Sequence, residues 1–260
     1  MLLVNTVILA VALLLAYEAG RVVFGRWRKD RPSAGAEFLA AGASGLLALL
    51  IGFTFAMSAE RYQTRRELVV AEANALGATY FRDSLLPVPF GADLGRLLTQ
   101  YGRARLAFFD AREDPARLAE ATRQTSELQD AIWRETAMGL RTPQGGPLVT
   151  TVLNSTNELF DLAATRQAAL EAQVPNAIFW LLALSAIATS GLTGYGLAHN
   201  ARDHRGAVIA MLLMVAGSIN LVQDLDTPRS GLITVPQGAL IRQVADLQAH
   251  EAHRTTFTAP

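Results

Sequence analysis

Residues 38–87 read FLAAGASGLLALLIGFTFAMSAERYQTRRELVVAEANALGATYFRDSLLP, and this stretch decides the fold. Its first part, Phe38–Met57, carries no charge. A helix needs roughly 20 apolar residues to cross a hydrocarbon core of about 30 Å, so this run is expected to span a bilayer. Ala40–Gly45 is nearly all small and the part that follows is bulky. Small residues let helix backbones approach, which is by itself a sufficient reason for them. Beyond the apolar run, Glu60, Arg61, Arg65, Arg66 and Glu67 alternate in sign. They fit a solvated face laced with i,i+4 pairs, or an electropositive collar at the mouth of a pore. Nothing breaks the helical pattern before Leu85-Leu86-Pro87, so the helix is expected to continue from the membrane through Glu60–Leu86.

Working outward, three more segments can cross a membrane. Leu2–Phe24 is uncharged until Glu18 and Arg21, which stand three apart and can pair. It lacks a basic n-region and an A-x-A site, so it reads as an anchor and not as a cleaved signal peptide. Ile178–Ala198 follows Pro175, a residue suited to a helix's first turn. Ala207–Gln223 is shorter and runs into Asp224 and Asp226. Composition agrees, with 51% apolar residues beside 18% charged, the mark of greasy runs joined to a polar domain. Arginine plus lysine and aspartate plus glutamate balance at 23 each, so no global field draws the chain to nucleic acid. With no cysteine there are no disulfides or thiolate sites.

The insert between spans two and three, residues 58–173, reads as helices. Leu94, Leu97, Leu98, Tyr101, Leu106 and Phe109 give near-helical spacing over about Ala92–Ala111. Asp114-Pro115 is an N-cap with proline at the first helical position, opening a helix to about Gly139. Thr142–Pro147 is a loop, and a further helix over about Leu148–Gln173 leads into span three. The fold expected is all-α: a membrane protein of four transmembrane helices with a helical-bundle insert. Its parts are 1–57, 58–173, 174–223 and a tail, 224–260, with an amphipathic helix at Ala239–His253. Orientation follows short-loop arginine and lysine. Arg21, Arg26, Arg28, Lys29 and Arg31 follow span one, and Arg202 and Arg205 lie between spans three and four. These loops are expected on the cytoplasmic side and the insert outside, although Arg61, Arg65 and Arg66 count against it.

Catalytic signatures are missing: there is no P-loop, G-x-S-x-G or H-E-x-x-H. No enzyme and no cofactor is expected. His250 and His253 lack a third ligand nearby in sequence. Thr193–Gly196 spells T-G-Y-G, a string like a potassium filter, but it ends a continuous apolar span. Close helix packing at Ser190, Gly191 and Gly194 is the better account. Asp224 and Asp226 are expected to be structural at a helix end, since two carboxylates cannot complete the 6–8 oxygen shell of calcium.

The run Leu46–Pro87, with D-L-D-T-P-R-S-G at Asp224–Gly231, resembles the bacterial bestrophin-like membrane proteins. The resemblance covers most of Phe38–Val235 and marks Gly52, Tyr62, Glu72, Asn74, Asp224 and Asp226. A more distant likeness is to the bestrophin anion channels, whose second helix carries G-F, seven residues, then R-W. Gly52-Phe53 and Arg61-Tyr62 keep that spacing. Their hydrophobic neck falls on Gly45, Leu49 and Phe53, of which Gly45 departs from a bulky type. Their acidic calcium clasp has no counterpart beyond Asp224 and Asp226, which puts calcium gating in doubt. The resemblance implies a homo-oligomer in the bilayer, a pentamer, passing small anions through a pore lined by span two. Arg61, Arg65 and Arg66 would concentrate those anions. It also implies a cytosolic insert, against the charge count. The other expectation is a non-conducting sensor or scaffold whose insert binds a ligand or partner. A scaffold helix would bury its small residues within the subunit, whereas a pore helix would turn its least lipid-compatible face to an axis.

Overall fold

The computed structural model describes residues 2–27, 34–112, 114–197 and 201–257. Among the described residues eight α-helices follow one another: α1 (Leu2–Trp27), α2 (Ala34–Asp83), α3 (Phe90–Asp110), α4 (Pro115–Leu140), α5 (Val149–Glu171), α6 (Asn176–Gly196), α7 (Ala201–Asp226) and α8 (Gly238–Phe257). A short 3-10 turn, Gly146–Leu148, precedes α5, and no strand occurs among the described residues. Among the described residues four stretches are long and apolar enough to cross a membrane. The chain divides into two compact units, Met1–Tyr62 with Gln173–Ile233, and Gln63–Ala172 with Thr234–Pro260. In this division residues 224–233 fall in the membrane unit and α8 in the insert unit.

Sequence punctuation explains the breaks. Helix α2 is 50 residues long and stops short of Pro87, which lacks the N–H a helix needs. Asp114 caps α4, its carboxylate accepting from the Ala116 and Arg117 amides at 3.0 and 3.2 Å, with Pro115 opening the first turn. Helix α7 begins at Ala201, earlier than the apolar pattern indicates, so Arg205 belongs to a helix and not to a loop. Arg28, Lys29, Arg31 and His199, which entered the charge count or its loop, lie outside the described residues, as do the side chains of Arg26 and Arg202.

In the membrane unit, α1 packs along α6 and α7. Leu13, Tyr17, Leu182, Ala186, Leu212 and Ile219 share one core. Lipid offers no hydrophobic drive for helix association, so close packing and polar contacts must supply it. The T-G-Y-G span does so: a Cβ added at Gly194 would collide with the Tyr17 carbonyl. Ser190 Oγ donates to the Leu13 carbonyl at 2.6 Å. Near the end of α1, Glu18 accepts from Arg21 Nε at 2.9 Å and from Arg205 Nη2 at 2.7 Å, so the expected pair gains a second arginine from α7.

The insert unit is built around a buried ion cluster. Glu72 on α2 is fully buried and accepts from Arg105 Nε of α3 at 2.5 Å and from Arg166 Nη1 of α5. Arg166 also donates to the Gln237 side chain, whose Nε2 donates to the Val235 carbonyl at 2.9 Å. Helix α8 adds Leu240, Val244 and Leu247, all buried at helical spacing. It packs so near α3 that a Cβ at Gly102 would lie 2.5 Å from the Val244 side chain. Tyr101 is completely buried beside this cluster, and burial pushes its phenol above the ordinary range, so it adds no charge. Breaking a buried ion pair from one side leaves an uncompensated charge, at a cost of about 3–5 kcal/mol. Glu72→Ala, which strands two arginines, is therefore expected to lower the melting temperature in detergent sharply, as read by thermal unfolding.

Candidate functional site

The candidate site is one face of α2. Its buried side in the membrane unit carries Leu47, Thr54 and Ser58, at 5%, 5% and 0% exposure. Leu47 reaches the core, with Leu50 and Ile51 beside it. Thr54 turns its hydroxyl back to the Leu50 carbonyl at 2.8 Å, so it presents no free donor. The other side is uncovered within the chain. Leu49 is 54% and Phe53 66% exposed, and a Cβ built at Gly42, Gly45 or Gly52 meets nothing within 4 Å.

Helical register sorts these positions. At roughly 100° per residue, positions 42, 45, 49, 53, 56 and 60 fall within an arc of about 80°. All six, Gly42, Gly45, Leu49, Phe53, Ala56 and Glu60, are exposed. The three neck positions thus share a face, with glycine where the bestrophin pattern has bulk. Arg61 is half-buried and its register places it roughly 120° from the centre of this arc. A cleft of about 850 Å³ lies between α2, α6 and α7, walled by Leu47, Ile51, Phe55, Met211 and Met214. Within its own chain, then, the membrane part of α2 is loosely held.

Of the three arginines expected at the mouth, one is buried within the subunit. Arg65 is 1% exposed. It donates from Nε to the Ala169 carbonyl at 2.9 Å and from Nη2 to the Ala172 carbonyl at 2.6 Å. These carbonyls end α5 and need donors, so Arg65 is a helix cap and not a mouth charge. Arg66 is exposed. Glu67, one heptad after Glu60, repeats its register, is exposed and accepts from Gln63 Nε2 at 2.9 Å.

The remaining motif positions are scattered. Gly52 and Asn74 are exposed, Tyr62 is half-buried, and Glu72 belongs to the ion cluster. Sequence reading missed the partners Arg105, Arg166 and Gln237. The available signal was an arginine on a core stripe: Leu94, Leu98, Tyr101, Arg105 and Phe108 are all buried on α3. His250 lies against the rings of Tyr80 and Phe81, centroids 6.1 and 5.6 Å away. No group of three or more metal-type side chains gathers among the described residues.

Asp224 and Asp226 hold backbone. The Asp224 carboxylate accepts from the Leu232 and Ile233 amides at 2.7 and 2.8 Å. Asp226 accepts from the Val174 amide at 3.1 and 2.9 Å, which fixes the entry to α6. A Cβ at Gly231 would lie 2.5 Å from Asp224 Oδ1 and 3.0 Å from its backbone oxygen. Gly231→Ala should therefore destabilise the protein by about 1–3 kcal/mol through overpacking, while Gly45→Ala leaves the isolated subunit unchanged. Paired thermal melts in detergent check the contrast.

The bestrophin-like domain family matches residues 6–240. Crystal structures of a bacterial bestrophin homologue from Klebsiella pneumoniae share the fold. One is 15% identical with a TM-score of 0.65, covering 96% of this chain and 99% of that one. A single-substitution variant is 14% identical with a TM-score of 0.68, covering 95% and 99%. A comparison with curated proteins finds no match. With most of its length inside the family match, its helices alone long enough to span a membrane, and the same chain path as the Klebsiella homologue, this protein belongs to the bestrophin-like family, a channel-type family of membrane proteins.

Proposed function

We propose that copies of this chain assemble into an ion channel in which the exposed stripe of α2 faces a shared axis. One observation carries the reading: Gly42 and Gly45, both on the stripe, meet nothing in their own subunit that a side chain there would touch. A scaffold helix would bury such residues, and lipid rewards no exposed glycine face. The family likeness favours a pentamer, seated in a bacterial inner membrane. Leu49 and Phe53, one turn apart, form successive apolar rings that oppose ion passage by dewetting until the pore widens. Gly45 leaves the third neck position open.

Charge at the mouth bears on the ion. The resemblance implies small anions, which Arg61, Arg65 and Arg66 would concentrate. Arg65 caps α5, and Arg61 points away from the stripe. Glu60 lies on it, and Glu67 repeats its register one heptad later. A ring of carboxylates at a narrow mouth raises the local concentration of cations, so the proposed permeant ion shifts to a small monovalent cation. The short-loop charges favour an insert on the outer side.

Two measurements follow. In liposomes under a potassium chloride gradient, the reversal potential should lie toward the potassium equilibrium value and move toward chloride in Glu60→Gln. Phe53→Ala should raise flux with little change in detergent melting temperature; unaltered flux with a large fall in melting temperature would favour the scaffold. For orientation, a cysteine replacing Gln144 should react with an impermeant maleimide in intact cells, and protection would place the insert in the cytosol.

A further inference from the structure

The ion cluster in the insert is not neutral. Glu72 stands against both Arg105 and Arg166, while Gln237 and Tyr101 contribute no charge. Asp83, another buried carboxylate of the insert, takes no hydrogen bond from any described residue and does not balance the cluster. One positive charge is left over in a region where an uncompensated charge is expensive. The excess has an outlet at Arg105. Its Nε serves Glu72 at 2.5 Å and its Nη2 serves the Ala163 carbonyl at 3.2 Å, and one guanidinium face lies 5.2 Å over the Phe108 ring. Among the described residues, nothing accepts from Nη1.

A cleft of about 100 Å³ opens beside this side chain, between α3, α4 and α5. Arg105, 2% exposed, belongs to its wall. Ser126 and Gln129 also line it, Ala164 stands exposed at the rim, and no carboxylate belongs to its wall. The cleft is small and has room for a small ion.

We propose that the cleft beside Arg105 binds a small monovalent anion of halide or nitrate size, which completes the charge balance of the insert. The proposal stands apart from the channel reading, since none of these residues lies on the exposed stripe of α2. Full-length protein in detergent, kept at constant ionic strength with gluconate as the replaced anion, is titrated with bromide. The melting temperature should rise and saturate, and crystals grown with bromide should show an anomalous peak next to Arg105 Nη1. Ala164→Leu fills the rim without touching the ion cluster and should abolish the saturable rise. A bromide response as large in Ala164→Leu as in the unaltered protein, or no anomalous peak in the cleft, overturns the proposal. If that variant does not fold, the anomalous map of the unaltered protein decides alone.

Discussion

Glu72 sits fully buried between two arginines, and the insert is organised by the need to keep it there. The carboxylate of α2 can stay charged only because α3 brings Arg105 and α5 brings Arg166 to it. Arg166 in turn holds Gln237, so the segment before α8 is drawn into the same set of contacts. Burying ions in this way is weak evidence for stability, since a well-packed apolar set often does as well. Its consequence is specificity of register: a slip of one residue in α2, α3 or α5 would leave a charge unpaired. Arg65 adds a second constraint of the same kind by capping the carbonyls that end α5.

The other end of α2 obeys the opposite logic. In the membrane unit, α1, α6 and α7 make the core, with Gly194 and Ser190 setting how closely α1 and α6 approach. Helix α2 joins that core chiefly through Leu47 and its neighbours, and leaves glycines, Leu49 and Phe53 uncovered. In lipid such a helix gains little from facing hydrocarbon and much from meeting another backbone. In the proposed homo-oligomer these faces would meet around an axis, with an apolar ring ahead of an acidic one.

Much of this architecture is legible in the sequence because its signals are local. Uncharged runs mark the spans, and Pro87, Asp114-Pro115 and Pro175 mark helix ends with little ambiguity. The exposed stripe follows from register once α2 is known to be continuous. What the sequence hides is non-local. Arg65 looks like its neighbours Arg61 and Arg66, and only the end of α5, about a hundred residues on, shows that it is a cap. Arg105 and Arg166 read as breaks in apolar stripes until Glu72 supplies their partner. Likewise, the start of α7 is misplaced by hydropathy because its first turns are polar, although the backbone is already helical.

A cysteine scan along α2 tests the central claim most directly, and the chain has no native cysteine to confuse it. Single cysteines replace Gly45, Leu49, Phe53, Ala56 and Glu60 on the stripe, and Ala48 and Phe55, which are also exposed in the subunit but lie on a neighbouring face. With liposome flux as the readout, a small water-soluble thiol reagent should block the stripe variants and leave the other two unaffected. Block at Ala48 and Phe55 with none along the stripe would contradict the account, because the pore would then lie against a different face of α2 or outside it.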